Sequence, residues 1–354
     1  MPALAEAPPA AALAAATAVP ADAARARPDA VPENAPEHCP GIDAPTAGTS
    51  SACQGCANQS ICATTPKGPD PDLPRIQARM QGVRNKILVM SGKGGVGKST
   101  FTTMLGRACA GQAKQTAIMD LDICGPSIPL ILGLSSHSVH ASASGWQPAF
   151  VSEHLCAMSI GFLLPSTSSA VIWRGPKKNA LIKQFLLDVD WTGGLADDFP
   201  AEGSNASAPN LDYMLIDTPP GTSDEHLSIV SLLAPTGLSG AILLTTPQEV
   251  SLQDVRKEIS FCRKVNLPIL GVVENMAGFV CPSCHGNSDV FYPSTGGAKA
   301  LCEELDLKFL GSVPLDPRIG KCCDLGEDFV YEHPESPAAQ AYVDIIRKVQ
   351  EMCP

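Results

Sequence analysis

At 354 residues, 44% of them hydrophobic, the chain is long enough to bury a sizeable core, and one large α/β domain with appendages is the organisation its length favours. A formal net charge of -11 without any cluster of Lys and Arg excludes a nucleic-acid surface, which needs grouped cations to neutralise phosphates. No apolar run approaches the roughly 18 residues of a membrane span, and fourteen cysteines without a signal peptide, in a chain that carries a nucleotide-type loop, point to a reducing compartment and to metal or redox chemistry rather than disulfides. The expectation is a soluble protein of the cytoplasm with no membrane and no nucleic-acid partner.

In chain order, residues 1–38 are rich in Ala and Pro, and their acids outnumber Arg25 and Arg27, which counts against a mitochondrial transit peptide and favours a disordered tail. Residues 39–80 form an N-terminal segment bearing Cys39, Cys53, Cys56 and Cys62, followed by a Pro-rich connector at 65–74. From 81 to 354 strand-like runs at 86–90, 116–121, 155–160, 212–216, 241–245, 269–273 and 309–313 alternate with helical stretches at 99–112, 177–189, 223–233, 250–264, 297–305 and 337–352. This alternation predicts an α/β domain of P-loop type: a mainly parallel sheet flanked by helices, with ligands at the C-terminal ends of its strands. Two insertions interrupt it: residues 137–151, with Gly145 near the centre, read as a β-hairpin, and residues 192–210 as a surface loop.

The run Gly92, Lys93, Gly94, Gly95, Val96, Gly97, Lys98, Ser99, continued by Thr100, directly follows the first apolar strand. Glycines let consecutive N–H groups turn inward around a phosphate; Lys98 then serves the β- and γ-phosphate charges, and the Ser99 hydroxyl serves Mg2+. Lys93 is one lysine more than the loop needs. It sits ahead of the phosphate nest, where it can reach a phosphate held by a second subunit, which suggests nucleotide-driven dimerisation. Two acidic elements end later strands: Asp120 and Asp122, ahead of Gly125-Pro126-Ser127, and Asp217-Thr218-Pro219-Pro220-Gly221. One carboxylate must hold the Mg2+ shell and another must orient the attacking water, while Gly221 allows the backbone to approach the γ-phosphate.

The cysteines fall into two groups with different arithmetic. Cys39, Cys53, Cys56 and Cys62 supply four thiols, enough for one iron-sulfur cluster or for one zinc ion, and their spacing leaves both open. Cys281 and Cys284 supply only two, so a four-iron cluster there needs two more thiolates from a second subunit or an exogenous thiol. A redox pair and half of a zinc ribbon are the alternatives. Pro282, Ser283 and Gly286 suggest a loop rather than the helix N-terminus a redox pair prefers, and no second CxxC follows.

Together the lysine-bearing loop, the Asp122 segment and Asp217-Thr218-Pro219-Pro220-Gly221 resemble the deviant Walker A ATPases, a group that includes MinD, ParA and Mrp. Trp173-Arg174-Gly175-Pro176, Gly221-Thr222-Ser223-Asp224-Glu225-His226, Glu274-Asn275-Met276 and Cys281-Pro282-Ser283-Cys284 narrow the resemblance to the Mrp-type iron-sulfur scaffolds. The cysteine-rich extension is similar to that of the cytosolic scaffold of the nucleotide-binding-protein group. The resemblance implies ATP-dependent assembly of [4Fe-4S] clusters and their transfer to cytosolic and nuclear apo-proteins, one cluster on the N-terminal cysteines and one bridging subunits through Cys281 and Cys284. It implies catalytic roles for Lys93, acting across a dimer, Lys98 and Asp122, a Mg2+-supporting role for Asp217, and an adenine-facing Asn275. Partners would be a second copy or a related P-loop scaffold ATPase lacking the N-terminal cysteines, apo iron-sulfur proteins and downstream assembly factors. The alternatives are a MinD- or ParA-like positioning ATPase and a zinc-bearing regulatory ATPase. The first needs a membrane-seeking or basic face, whereas the stripe Ala341, Val343, Ile345, Ile346 and Val349 reads as a packing helix.

Overall fold

The computed structural model describes residues 36, 38, 39, 46–64, 70–142, 145–164, 175–191, 211–281, 284 and 286–354. Nearly all of the expected Ala/Pro tail, the start of the connector, Trp173, Arg174 and the expected surface loop at 192–210 lie outside the described residues. The chain divides into two compact units, Met1–Leu73 and Pro74–Pro354. In the first, a single turn at Ser51–Cys53 is capped by the Ser50 hydroxyl, which accepts the Ala52 N–H at 3.2 Å, and helix α1 (Gln59–Thr64) follows.

At the border, α2 (Leu73–Met80) leads into β1 (Val83–Ser91), α3 (Lys98–Gly111), β2 (Thr116–Asp120) and the short α4 (Ile128–Ile131). The two-residue strands β3 (Ala141–Ser142) and β4 (Gly145–Trp146) pair antiparallel, and β5 (Ala149–Ser152) turns back into β6 (Leu155–Ser159). The insertion thus contains a hairpin as expected, with Gly145 in its second strand. Then come α5 (Gly175–Leu187), β7 (Leu211–Asp217), α6 (Asp224–Leu233), β8 (Gly240–Thr245), α7 (Glu249–Lys264), β9 (Ile269–Val280) and β10 (Asn287–Ser288). The chain ends through α8 (Gly297–Leu305), β11 (Phe309–Leu315), α9 (Pro317–Leu325), α10 (Phe329–Glu332) and α11 (Pro337–Met352).

The sheet runs β10-β9-β8-β1-β7-β2-β6-β5, with β11 also on β9. All pairings from β6 through β9 to β11 are parallel, and only β5 and β10 run the other way. Strands covered on both faces carry continuous apolar runs, which is why β2, β7 and β8 are buried almost throughout. On one face the core joins β1, β7 and β11 to α3 and α11, where Phe101 meets Tyr342 with ring centroids 6.0 Å apart. Tyr342, Ile345, Ile346 and Val349 are buried, so α11 is a packing helix, although Val343 on its stripe is 42% exposed. Parallel strands bring their C-terminal ends to one edge. The phosphate loop after β1, Asp120 ending β2, Asp217 ending β7 and Asn275 within β9 therefore share that edge.

Candidate nucleotide and cysteine sites

Between β1 and α3 the loop is shaped by left-handed glycines: Gly95 and Gly97 take φ of +82° and +83°, a region costly for other residues. Added Cβ atoms at Gly94 and Gly95 would touch nothing, so their backbone faces open space, while Val96 is buried and anchors the loop. A pocket of about 280 Å³ opens over it, lined among others by Lys93, Lys98, Ser99, Thr100, Asp122 and Pro220. Lys93 is half-buried at the rim, and its carbonyl accepts the Ser91 hydroxyl at 3.2 Å.

Asp217 is fully buried beneath this pocket and gathers three donors. Lys98 Nζ lies 2.8 Å from Oδ1, Thr102 Oγ1 donates to Oδ1 at 2.9 Å, and Ser99 Oγ donates to Oδ2 at 2.5 Å. Thr102 was not legible as part of the site, because its role arises only when α3 brings it one turn beyond Lys98. Hydroxyl and carboxylate oxygens are hard donors that suit Mg2+, so Ser99 with Asp217 behind it fits the expected ion. Gly221, at φ +78°, donates its N–H to Ser91 carbonyl at 2.8 Å and so brings the loop after Asp217 against the phosphate loop.

Asp120 and Asp122 separate clearly. Asp120 is the Cα partner of Asp217 across β2 and β7, is fully buried, and accepts the Ser159 hydroxyl at 2.7 Å and the Asp122 N–H at 3.0 Å. Burial first, then neighbouring Asp217, pushes its carboxyl well above the usual range. Asp122 lies beyond the strand end rather than on the same strand face as Asp120, and it lines the pocket. Partial burial raises its carboxyl too, against the pull of Lys98.

Asn275, for which the resemblance implies an adenine-facing role, is also tied to the phosphate loop. Its Nδ2 donates to Val96 carbonyl at 2.8 Å and its Oδ1 accepts the Met276 N–H at 3.0 Å, leaving one N–H and one lone pair for any other partner. Two further contacts border the acidic loops. Lys178 of α5 pairs with Glu225 of α6 at 2.6 Å. His226 closes a capping box with Ser223, its Nδ1 3.3 Å from the Ser223 N–H, and is fully buried with its ring edge-on to Phe261 at 6.0 Å. The motif preceding Lys178 and the spacing from Ser223 to His226 were visible in the sequence; the contacts were not.

Cys281 and Cys284 lie on the connection between β9 and β10. Cys281 donates its N–H to Gly286 carbonyl at 3.0 Å, and Cys284 is exposed, so the pair occupies a hairpin loop and not a helix start. A cavity of about 450 Å³ borders Cys281, lined by Phe279, Leu315, Arg318 and Glu335 among others. In the first unit Cys53 and Cys62 are buried, and Cys39 and Cys56 are half-buried. The Gly48 N–H points at Cys53 Sγ over 3.2 Å. Among the described residues no three His, Cys, Asp or Glu side chains converge as an ion would require, so neither cysteine group is drawn into a closed ligand set. Four soft thiols with an N–H donor fit an iron-sulfur cluster or zinc in kind, and convergence of such ligands is coupled to metal binding itself. Of the other cysteines, Cys109, Cys156, Cys262, Cys302, Cys322, Cys323 and Cys353 are buried packing residues, and Cys124 is exposed.

With this geometry in place, comparison with known proteins is direct. A family model within the ParA group, described as NUBPL iron-transfer P-loop NTPase, matches residues 82–350. The chain belongs to this family. It is 56% identical over 320 residues to a cytosolic Fe-S cluster assembly factor NBP35 of Kluyveromyces lactis, covering 90% of this chain and 93% of that protein. It is likewise 56% identical over 317 residues to the factor of the same description from Eremothecium gossypii, covering 89% and 90%. Among solved structures, a nucleotide-binding protein in complex with ADP from Archaeoglobus fulgidus is similar at TM-score 0.59 and 32% identity, covering 76% of this chain and 95% of the other. The MinD cell division ATPase of Pyrococcus furiosus, at TM-score 0.50 and 22% identity over 76% and 99%, shares the fold.

Proposed function

We propose that this protein of the iron-transfer NTPase family is a cytosolic ATP-hydrolysing scaffold and carrier that assembles [4Fe-4S] clusters and hands them to cytosolic and nuclear apo-proteins. The observation that carries the reading is the presence of both chemistries on one sheet edge: a phosphate loop with Lys98, Ser99 and Asp217 already in register, and a hairpin displaying Cys281 and Cys284 on the strand that touches that loop. Its closely similar relatives are cytosolic Fe-S cluster assembly factors by description.

In hydrolysis the loop amides and Lys98 bind the β- and γ-phosphates, Thr102 and Lys98 hold Asp217 in place, and Ser99 with Asp217 offers the oxygens for Mg2+, which neutralises phosphate charge when bound. Asp122 orients water for attack on the γ-phosphorus as the bond to the ADP oxygen breaks. Asp120, whose carboxyl pKa burial pushes upward and which is tied to Ser159, sets the position of Asp122 through its backbone N–H. Lys93 reaches the nucleotide of a second copy. That copy also supplies the two thiolates that Cys281 and Cys284 lack, so the cargo cluster sits across the dimer axis, where small subunit movements release it. Cys39, Cys53, Cys56 and Cys62 hold a second, resident cluster.

The deciding experiment is anaerobic reconstitution with iron and sulfide, reading iron, acid-labile sulfide and zinc on the wild type and on Cys281→Ala/Cys284→Ala. The double variant is expected to lose the labile share and keep the N-terminal one. Equal cluster content in both proteins, or zinc as the only tightly held metal, would overturn the carrier reading.

A further inference from the structure

β9 carries both sites. Asn275 grips the phosphate loop through Val96 carbonyl, and Cys281 follows six residues later on the same chain, at most roughly 20 Å along a strand. Between them the strand is irregular. Against β11 the register pairs Asn275 with Val313 and Phe279 with Leu315, so four steps along β9 answer two along β11. The surplus forms a bulge over residues 276–278, opposite Pro314, which has no N–H to offer the ladder. Met276 stands there at φ +59° and Gly278 at φ +78°. For Met276, which has a Cβ, that conformation is strained and persists only because its surroundings hold it.

One side chain does much of the holding. The Met276 N–H returns to Asn275 Oδ1 at 3.0 Å, so the amide that grips the phosphate loop also closes the bulge. Upstream, the strand is fixed: Glu274 accepts the Ala298 N–H at 2.6 Å and faces the Ser312 hydroxyl at 3.4 Å. Downstream it is regular again, with Phe279 and Val280 paired to Ser288 and Asn287, and Cys281 N–H bound to Gly286. Between Asn275 and Cys281 the irregularity is confined to three residues, with a nucleotide-binding loop at one end and the cysteine hairpin at the other.

We infer that Asn275 and the bulge it closes couple the two sites: when the loop amides draw onto a phosphate, Val96 carbonyl turns, Asn275 follows or lets go, and the bulge changes its conformation and shifts the cysteine hairpin. Asn275 is on this account a positioning residue for cargo release, and the bulge is the two-state element that coupling between separated sites requires. The cargo's identity rests on the carrier reading above; the mechanical link does not.

The test uses the full-length protein without iron, and a non-hydrolysable ATP analogue with Mg2+ at a concentration that saturates each variant separately. Amide hydrogen exchange of residues 277–281 is read with and without nucleotide. In the wild type these amides should change their exchange by about fivefold or more, and Asn275→Ala and Met276→Gly, which release the grip and the strain respectively, should each cut the change below about twofold. Wild-type amides that ignore the nucleotide, or a full response in both variants, would overturn the coupling. A wild type that shows the response yet holds no cluster at Cys281 and Cys284 sinks the carrier reading and leaves the coupling intact; a cluster held there without the response does the reverse.

Discussion

His226 offers a quantitative check on the packing around the loop after Asp217. Its imidazole is wholly buried, and burial foremost, with Lys98 adding to it against Glu225 and the Pro219 carbonyl, lowers its pKa from 6.5 to about 4. A histidine depressed in this way is held neutral in the folded protein. Its contribution to stability is complete above pH 6.5 and disappears as the pH falls towards 4, because only the unfolded chain then takes up the proton freely. Between pH 8 and pH 5 the loss from this one residue is about 2 kcal/mol, of about 3 kcal/mol available at still lower pH. His226→Gln keeps the capping box, since Gln serves at that position as well as Glu, but cannot titrate. Urea unfolding of both proteins at pH 8 and pH 5 should therefore show the variant gaining about 2 kcal/mol on the wild type as the pH is lowered. Parallel pH dependences for the two proteins would refute the buried, neutral assignment.

Further outcomes follow from the same geometry. Lys98→Ala should abolish ATP binding in calorimetry and also lower stability by about 3 kcal/mol or more, since it leaves Asp217 buried without its cation. Lys93→Ala should retain binding and impair hydrolysis; a monomeric Lys93→Ala protein with undiminished ATPase activity would contradict its action on a second copy. Gly48→Ala would place a Cβ 2.1 Å from Ala63 N at φ +76°, so iron bound through the N-terminal cysteines should be lost while the share at Cys281 and Cys284 stays. Thr102→Val removes one of the three donors on Asp217, and a weaker Mg2+ dependence of ATP hydrolysis, with a stability loss of about 1–2 kcal/mol, is the expected result.

The central strands were legible because burial on both faces writes them as uninterrupted apolar runs, and the long helices because their apolar spacing and caps agree. β9 was readable only as far as Val273. Beyond it Glu274, Asn275 and Gly278 break the apolar run, and the strand continues to Val280 only because β11 and β10 pair with it. The short helices α4 and α10, of four residues each, are too short to show a period, and contacts with neighbouring elements support them. At the site, residue types sufficed to find Lys98, Ser99 and Asp217, whose chemistry is bound to a local motif. They did not separate Asp120 from Asp122, because burial and the Ser159 bond are facts of packing, nor did they reveal that Asn275 is committed to Val96. Ligand convergence at the cysteines is not written in spacing at all, since thiolates repel until a metal draws them together.

The pairing of β1 has a consequence for how the protein is made. The strand that leads into the phosphate loop has no neighbour close in sequence: Val83 lies beside Leu211, and Ile87 beside Gly240. At synthesis rates of about 5–20 residues per second, β1 leaves the ribosome on the order of ten seconds before either flanking strand exists. During that interval an apolar strand and its glycine loop wait without a sheet, exposed to aggregation and to holding chaperones. The first unit, with all four of its cysteines, is finished before the wait begins. Iron could therefore reach Cys39, Cys53, Cys56 and Cys62 on the nascent chain, well before the ATP site is assembled.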